Sequence, residues 1–321
     1  MKKQILKILA ALCAMALLSS CGASSAPDAS PETADKLRVV ATVFPAYDFA
    51  RAVCGDLAEV TLLLPPGAES HSYEPTPKDI LSVGDSDLFL YLGGESDAWV
   101  ETLLTSIDGG VDTLTLMDCV DDLKEEAELE GMTAEKEEAH GEGQVLEYDE
   151  HVWTSPANAV AITLEIGEEL SKIDPANEAQ YRANAADYAA QIQTLDGKFR
   201  DFFADVDNKT MVFGDRFPLR YFADEYGLDC YAAFPGCSTQ TEPSAATVAF
   251  LTRKMIDEQL GTVYYIEFSN HLVADSIAEA SGAQTALFHS CHNVSQAELD
   301  GGATYLTIME GNLETLRATM H

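Results

Sequence analysis

The stretch Leu64–Pro77, LPPGAESHSYEPTP, sets a pattern that the rest of the chain repeats. The apolar run Ala58–Leu64 before it predicts a strand, which ends at two prolines and a glycine. A single histidine, His71, follows in a polar loop, and Thr76-Pro77 then predicts a helix start, because threonine caps helices and proline suits their first turn. His71 is therefore expected at the carboxyl end of a strand, where open α/β folds bind ligands. The alternative is an ordinary solvated loop histidine.

Strands and helices alternate on both sides of this stretch, which indicates βαβ units and mainly parallel sheets. The apolar strands are uninterrupted, as is typical when both faces of a sheet are covered. The predicted strands are residues 37–44, 58–64, 88–92, 113–117, 210–213, 229–234, 262–268 and 284–288.

A long helical pattern separates the two series of strands. It begins at Ser155 or Pro156, is interrupted at Asp174-Pro175 and continues to about Val206. The segment 239–244, TQTEPS, echoes the motif around His71, so two similar α/β lobes are predicted. The predicted organisation is a signal peptide over 1–21, a flexible tether over 22–36, a first lobe over 37–174, a linking helix over 175–206 and a second lobe over 207–321.

The amino terminus predicts export and lipid anchoring. Three lysines precede the apolar run Ile8–Leu18, as in a signal peptide. The sequence Leu18-Ser19-Ser20-Cys21 resembles a lipobox, at which cleavage makes Cys21 the lipidated first residue. An ordinary signal peptide and a membrane anchor are the alternatives, although the apolar run is too short to cross a bilayer.

The formal charge of −35 excludes binding to nucleic acid or to anionic lipid surfaces and favours cations. Much of this charge lies in the tract 118–150, which holds 14 acidic residues and is predicted to be a mobile loop. It is interpreted either as a solvated insertion or as a weak cation collector that includes His140.

Isolated histidines beside predicted strand ends are the candidate metal ligands. His71 and His151 lie in the first lobe, and His289 and His292 follow the last strand of the second lobe. Imidazoles that meet in a cleft between the lobes suit Zn²⁺, which prefers nitrogen and sulfur donors in tetrahedral sites. If they lie apart, each is an ordinary surface or core histidine.

Several segments together resemble the metal-binding solute-binding lipoproteins of bacterial ABC transporters, the zinc- and manganese-uptake receptors. They are LPPGAESHSYEPTP, EHVWTSPANA, YFADEYGL, YYIEFSNHLVADSIAEASGA and TYLTIMEGNLETL. The resemblance implies two (β/α) lobes joined by a rigid backbone helix, with the metal between them. His71 matches the first family ligand and His151 the second.

The resemblance also implies how such a protein works. It would be an extracytoplasmic, lipid-anchored monomer that delivers a metal to an ABC permease. Zn²⁺ is expected rather than Mn²⁺, because imidazole-rich ligation suits zinc. The family's His-rich loop corresponds to the acidic tract, where His140 is the one histidine, and this weakens the collector interpretation.

The second lobe departs from the family pattern. Arg216 stands at the third ligand position, and an arginine cannot be deprotonated to bind a metal. Either Asp215 substitutes or the lobe contributes another residue. At the fourth position one or both of His289 and His292 are expected to compensate.

The chain has five cysteines beyond the signal and lipobox, and an exported chain can form disulfides, although an odd count leaves one thiol unpaired. A Cys237–Cys291 disulfide is predicted near the end of the second sheet. The competing interpretation is a free Cys291 thiolate bound to zinc.

Two functions from different classes remain. The first is a receptor that captures Zn²⁺ for import. The second is a secreted zinc metallohydrolase with Glu69 or Glu150 as the base, although the sequence shows no paired catalytic motif. An adhesin is a third, weaker interpretation.

Overall fold

Two four-stranded parallel sheets with the same strand order organise the computed structural model, which describes residues 36–107, 110–126, 129–132, 148–238 and 242–320. The first sheet has the order β2-β1-β3-β4, and the second has the order β6-β5-β7-β8. The strands are β1 Leu37–Ala41, β2 Ala58–Leu62, β3 Leu88–Tyr91, β4 Asp112–Thr115, β5 Thr210–Phe217, β6 Asp229–Pro235, β7 Thr262–Tyr265 and β8 Gln284–Leu287. Each sheet defines one lobe, and the predicted two-lobed α/β fold is confirmed.

Ten helices lie in the described part of the chain. In the first lobe they are α1 Phe44–Cys54, α2 Pro77–Gly84 and α3 Ala98–Ser106. Two helices, α4 Pro156–Ile173 and α5 Glu178–Ala204, connect the lobes. The others are α6 Arg220–Tyr226, α7 Ala245–Asp257, α8 Leu272–Ser281, α9 Gln296–Asp300 and α10 Tyr305–Thr319.

The loop that carries His71 is fixed by the start of α2. The Thr76 side chain and the Asp79 carboxylate form a capping box, with Pro77 in the first turn, as the sequence predicts. The Tyr73 hydroxyl also donates to the Asp79 carboxylate at 3.0 Å. His71 itself lies in a short 3₁₀ turn, Ser70–Ser72, so both sides of the histidine are held by local structure.

The connection between the lobes is a helical hairpin. The sequence predicts an interruption at Asp174-Pro175 with a helix beyond it, and in the structure the chain also reverses direction there. Arg182 of α5 pairs with Glu168 of α4 at 2.8 Å, which places the two helices side by side and antiparallel. Helix α5 has 27 residues and is therefore about 40 Å long, enough to span both lobes.

One hydrophobic core joins the two lobes through this hairpin. It contains Val39 and Leu88 of the first sheet, Phe199 of α5, and Phe213 of the second sheet. The sequence predicts an apolar stripe of Leu195, Phe199, Phe202 and Phe203 on α5; three of these side chains are at most 2% exposed, and Phe202 is half-buried. The loops at the carboxyl ends of the strands lie outside this core and form the site.

The start of the acidic tract packs onto the protein, which corrects its description as one mobile loop over 118–150. The Lys124 backbone N–H donates to the Tyr221 hydroxyl at 3.1 Å, and Glu125 forms an isolated bridge with Tyr148. Leu129 and Met132 pack against the hydrophobic core. These apolar side chains bury enough surface to order a segment that is otherwise highly charged.

Several sequence predictions lie outside the described residues. They are the signal peptide, the lipidation site Cys21, the tether up to residue 35, and His140 in the acidic tract. No helix among the described residues has both the length and the hydropathy to cross a bilayer.

A buried aspartate ties three helices together and gives a stability prediction. Asp48 of α1 is 2% exposed and accepts hydrogen bonds from the Tyr188 hydroxyl and the Tyr305 backbone N–H at 2.6 and 2.9 Å. Burial raises the pKa of Asp48. Asp48→Ala leaves two buried donors unsatisfied, so we expect the free energy of unfolding to fall by about 3 kcal/mol in urea titrations.

The matched control for this prediction is Asp187→Ala on the exposed face of α5. It is expected to change the free energy of unfolding by about 0.5 kcal/mol or less. Equal losses in the two variants would contradict the role assigned to Asp48.

Candidate metal centre

Three histidine rings from three separate segments meet where the carboxyl ends of the two sheets face each other. His71 follows β2, His151 precedes α4, and His292 follows β8. The ring centroids are 5.6 Å apart for His71 and His151, 5.2 Å for His71 and His292, and 5.1 Å for His151 and His292. The structure thus brings together three of the four predicted metal ligands.

His151 presents an unpartnered ring nitrogen to this cluster. Its side chain is fully buried, and its Nδ1 lies 2.9 Å from the Asp149 carboxylate. When the ring is neutral, an Nδ1–H donated to this carboxylate leaves a lone pair on Nε2, and Nε2 has no hydrogen-bond partner in the described part of the chain. A buried lone pair without a donor is costly, and a cation is the natural partner for it.

His71 is oriented by a short relay of hydrogen bonds. Its Nδ1 lies 2.7 Å from the Ser96 hydroxyl, which in turn donates to the Glu150 carboxylate. Because Ser96 gives its proton to Glu150, its oxygen accepts the Nδ1–H of His71. The relay therefore leaves the Nε2 lone pair of His71 available as a ligand, as carboxylates that hydrogen-bond to metal-binding histidines do.

His292 is placed by the buried carboxylate of Glu267. This carboxylate accepts hydrogen bonds from the Ser290 backbone N–H at 2.7 Å and from the His292 backbone N–H at 3.2 Å. Cys291 between them adopts a positive φ of 64°, which turns the loop sharply. The loop geometry thus directs His292 toward the other two rings.

The loop after β8 is also bonded to the first lobe. The Phe44 and Gly67 backbone N–H groups donate to the His292 and Val294 carbonyls at 3.3 and 2.9 Å. The Trp153 indole N–H donates to the Ser290 carbonyl at 2.9 Å. The Asn293 side chain completes the set with bonds of 2.8 and 2.9 Å to the carbonyls of Pro65 and Ala68. We call these five hydrogen bonds the interlobe clamp.

The spacing of the three rings fits a tetrahedral zinc ion. With Zn–N bonds of about 2.05 Å, tetrahedral imidazoles have ring centroids about 5.2 Å from one another. The three observed separations lie within 0.4 Å of that value. A cavity of about 30 Å³ is lined by all three histidines, which is room for a single small occupant.

The electrostatics of the rings favour neutral imidazoles at two positions. Burial, together with His151, lowers the pKa of His71 to about 4. Burial and the other two histidines hold the pKa of His292 well below its usual value. Burial also opposes the charged form of His151, but the charge of Asp149 and its hydrogen bond outweigh this and raise the pKa of His151.

The fourth predicted ligand, His289, lies elsewhere. Its Nδ1 accepts the Cys291 backbone N–H at 2.9 Å, so its Nε2 carries the proton. That Nε2 lies 3.9 Å from the Glu298 carboxylate rather than in the three-ring cluster. The ring thus presents no lone pair to the cavity.

The structure contradicts the predicted Cys237–Cys291 disulfide, since both residues are free thiols. Cys291 is fully buried in the hydrophobic core. Cys237 lies beside the rings, with a ligand atom of His71, of His151 and of Glu150 within 4.8 Å of its sulfur. The two thiols therefore belong to different surroundings, and Cys237 is the sulfur near the cluster.

Arg216 and Asp215 both take part in contacts beside the cavity, and Arg216 lies in a strand where the sequence predicts a helix. The sequence predicts a helix from Arg216 to Glu225, but strand β5 continues through Phe217. Arg216 forms an ion pair with Glu69 of the first lobe at 2.7 Å, at the edge of the cavity. Asp215 accepts hydrogen bonds from the backbone N–H groups of Arg216 and Ile266, so its carboxylate stabilises the turn after β7.

Sequence reasoning missed the residues that orient the ligands. Asp149 stands two positions before His151, and Glu267 stands within the segment YYIEF, so both were visible as acidic residues near strand ends. Ser96 carries no such signal, because its contact with His71 depends on how two loops approach each other. The two carboxylates predicted as candidate catalytic bases both have partners. Glu69 accepts a hydrogen bond from Arg216, and Glu150 accepts one from Ser96.

Comparisons with known proteins agree with this geometry. Residues 39–319 match the family model "ZnuA: Zinc-uptake complex component A periplasmic". The high-affinity zinc uptake system protein ZnuA of Bacillus subtilis is 33% identical over 306 residues, covering 95% of this chain and 94% of that protein. The zinc-binding lipoprotein AdcA of Streptococcus pneumoniae is 31% identical over 319 residues, and this chain spans 61% of its length.

Solved structures extend the likeness. The Zn(II)-bound ZnuA-like domain of S. pneumoniae AdcA matches with a TM-score of 0.72 at 30% identity, covering 88% of this chain and 98% of that one. The laminin-binding protein Lmb of Streptococcus agalactiae, described as a bifunctional protein with adhesin and metal-transporting activity, has a TM-score of 0.72 at 25% identity, covering 88% of this chain and 99% of that one.

The family assignment supports a binding component of a transport system and gives no support to the metallohydrolase interpretation. By its sequence, its fold and its histidine cluster, the chain belongs to the ZnuA family of metal-uptake receptors.

Proposed function

We propose that this protein captures Zn²⁺ outside the cytoplasm and delivers it to an ABC permease for import. The observation that carries the proposal is the set of three imidazoles from both lobes, spaced as a tetrahedral zinc ion requires. The zinc bound by AdcA and the zinc uptake named for ZnuA support the same cargo. Mn²⁺ is a weaker candidate, because it prefers carboxylate and water oxygens to imidazole.

The proposal predicts one tightly retained zinc ion per chain. Protein purified without added metal should carry zinc in elemental analysis, and a competition titration should favour Zn²⁺ over Mn²⁺. Removal of zinc by a chelator should lower the melting temperature, since free zinc at 100 times its Kd stabilises the folded state by about 2.7 kcal/mol. A chain that retains no zinc, or that hydrolyses model esters or peptides when zinc is bound, would refute a pure receptor.

The same proposal includes a lipid anchor at Cys21. Its support is the lipobox-like sequence Leu18-Ser19-Ser20-Cys21 and the name of AdcA, a zinc-binding lipoprotein. The mature chain would then be tethered to the membrane by its first residue alone. Metabolic labelling with a fatty-acid analogue tests this directly, and an unlabelled protein would exclude the anchor.

A further inference from the structure

Three imidazoles leave one corner of a tetrahedral site open, and the nearest candidates for it are a thiol and a carboxylate. Cys237 and Glu150 both have a ligand atom within 4.8 Å of ligand atoms of His71 and His151. Glu150 is already engaged, because its carboxylate accepts the Ser96 backbone N–H at 3.1 Å and the Ser96 hydroxyl. Its place in the relay makes it an orienting group for His71, and the thiol remains as the donor.

The backbone brings Cys237 to this position. The preceding residue, Gly236, packs so closely that a Cβ added there would lie 3.0 Å from the Phe217 carbonyl oxygen and 3.4 Å from Cε1 of His151. The Cys237 backbone N–H donates to the Glu126 carboxylate at 3.0 Å. The loop after β6 therefore lies close to the His151 ring, and the start of the acidic tract holds it through Glu126.

The distances fit a mixed nitrogen and sulfur site. Tetrahedral zinc with Zn–S of about 2.3 Å and Zn–N of about 2.05 Å separates the sulfur from each nitrogen by about 3.6 Å. The Cys237 sulfur lies within 4.8 Å of a ligand atom of His71 and of His151, so a contraction of about 1 Å or less, which side-chain rotation can provide, would bring these three donors to zinc-binding distances. His292 is placed beside them by its ring contacts with His71 and His151. The fully buried, unpartnered Nε2 of His151 is an independent sign that an ion belongs between these groups.

We propose that the Cys237 thiolate is the fourth ligand, so that this chain binds its cargo through His71, His151, His292 and Cys237. The inference rests on the proposed function and deepens it. When the metal binds, the thiol proton passes to solvent and the sulfur–metal bond forms. A thiolate favours Zn²⁺ and the softer Cd²⁺ over the hard Mn²⁺, so this residue would set the metal selectivity of the site.

Cobalt substitution of the full chain tests the proposal without any variant. Co²⁺ replaces zinc in tetrahedral sites, and a thiolate ligand adds an intense sulfur-to-cobalt charge-transfer band in the near ultraviolet. We expect this band in the wild-type protein and its loss in Cys237→Ala. The matched control is Cys230→Ala, which should keep the band, because Cys230 pairs with Met211 at the amino end of β6 whereas Cys237 follows the carboxyl end of that strand.

Affinity measurements provide the second readout. Cys237→Ala should weaken Zn²⁺ binding by about 10- to 100-fold and change Mn²⁺ binding by about threefold or less. If the variant fails to fold, protection of Cys237 from alkylation by bound zinc in the wild-type protein, read by peptide mapping, gives the same information. Protection supports ligation, and unchanged alkylation rejects it.

The outcomes separate this inference from the proposed function. Tight binding of Zn²⁺ or Co²⁺ without a charge-transfer band, with equal affinity in Cys237→Ala, would overturn the thiolate ligand and leave the receptor intact. A wild-type protein that binds neither metal would overturn the receptor itself.

Discussion

Replacing His151 by alanine is expected to weaken Zn²⁺ binding by at least about 100-fold. Structural zinc sites contribute about 10–16 kcal/mol, which is about 3 kcal/mol for each of four ligands, or about two orders of magnitude in Kd. His71→Ala should have an effect of the same size, because its Nε2 occupies an equivalent place in the cluster. Competition titration with a chromophoric chelator measures both losses.

The control is His271→Ala, which removes a half-exposed histidine whose Nδ1 pairs with Asp275 at 2.9 Å. It should bind Zn²⁺ as the wild-type protein does, and all three variants should keep the wild-type circular dichroism. Wild-type affinity in both His71→Ala and His151→Ala would contradict the assignment of these two histidines as metal ligands.

The second prediction with a large expected effect distinguishes His292 from His289, which stands three positions earlier in the same loop. His292→Asn should lower Zn²⁺ affinity by about 100-fold, because it removes one of the three clustered imidazoles. His289→Asn should leave the affinity within about threefold of wild type, because the Asn amide oxygen can replace Nδ1 as acceptor of the Cys291 N–H. The same titration and a thermal melt of each variant measure the difference.

This pair of variants distinguishes the two histidines better than two alanine variants would, since asparagine keeps a hydrogen-bond acceptor at each position of the loop. A larger loss in His289→Asn than in His292→Asn would show that the loop presents the other histidine to the metal. Equal, small losses would remove both histidines of this loop from the metal site.

The fold was largely readable from the sequence. All eight strands were predicted, because a buried parallel strand is a short apolar run between turn residues, and that signal is local. The reversal at Asp174-Pro175 was missed, since helical periodicity is the same whether the chain continues or turns back. The sequence pattern placed Arg216 in a helix. Strands β5 and β6 shift register between Phe213 and Arg216, so only the pairing with β6 shows that Arg216 still belongs to the strand.

The site was readable in part. His71 and His151 could be identified because each lies beside a strand end in a distinctive motif. The choice between His289 and His292 could not be made, since it depends on the positive φ of Cys291, a conformation that a non-glycine residue adopts only when its surroundings impose it. The proximity of Cys237 to the histidines was hidden for a similar reason, because it follows from a close approach of the Gly236 backbone to His151.

The interlobe clamp has a consequence for how often the protein opens. Separating the lobes as rigid bodies would break five hydrogen bonds around the loop of His292, at a cost of about 1 kcal/mol each. An opening that costs about 5 kcal/mol leaves roughly one molecule in several thousand open at any moment. We therefore expect a bound ion to have a long residence time in the free receptor. A transport partner would shorten that time by competing for the carbonyls of this loop, so that the rate of delivery is set by the encounter and not by spontaneous dissociation.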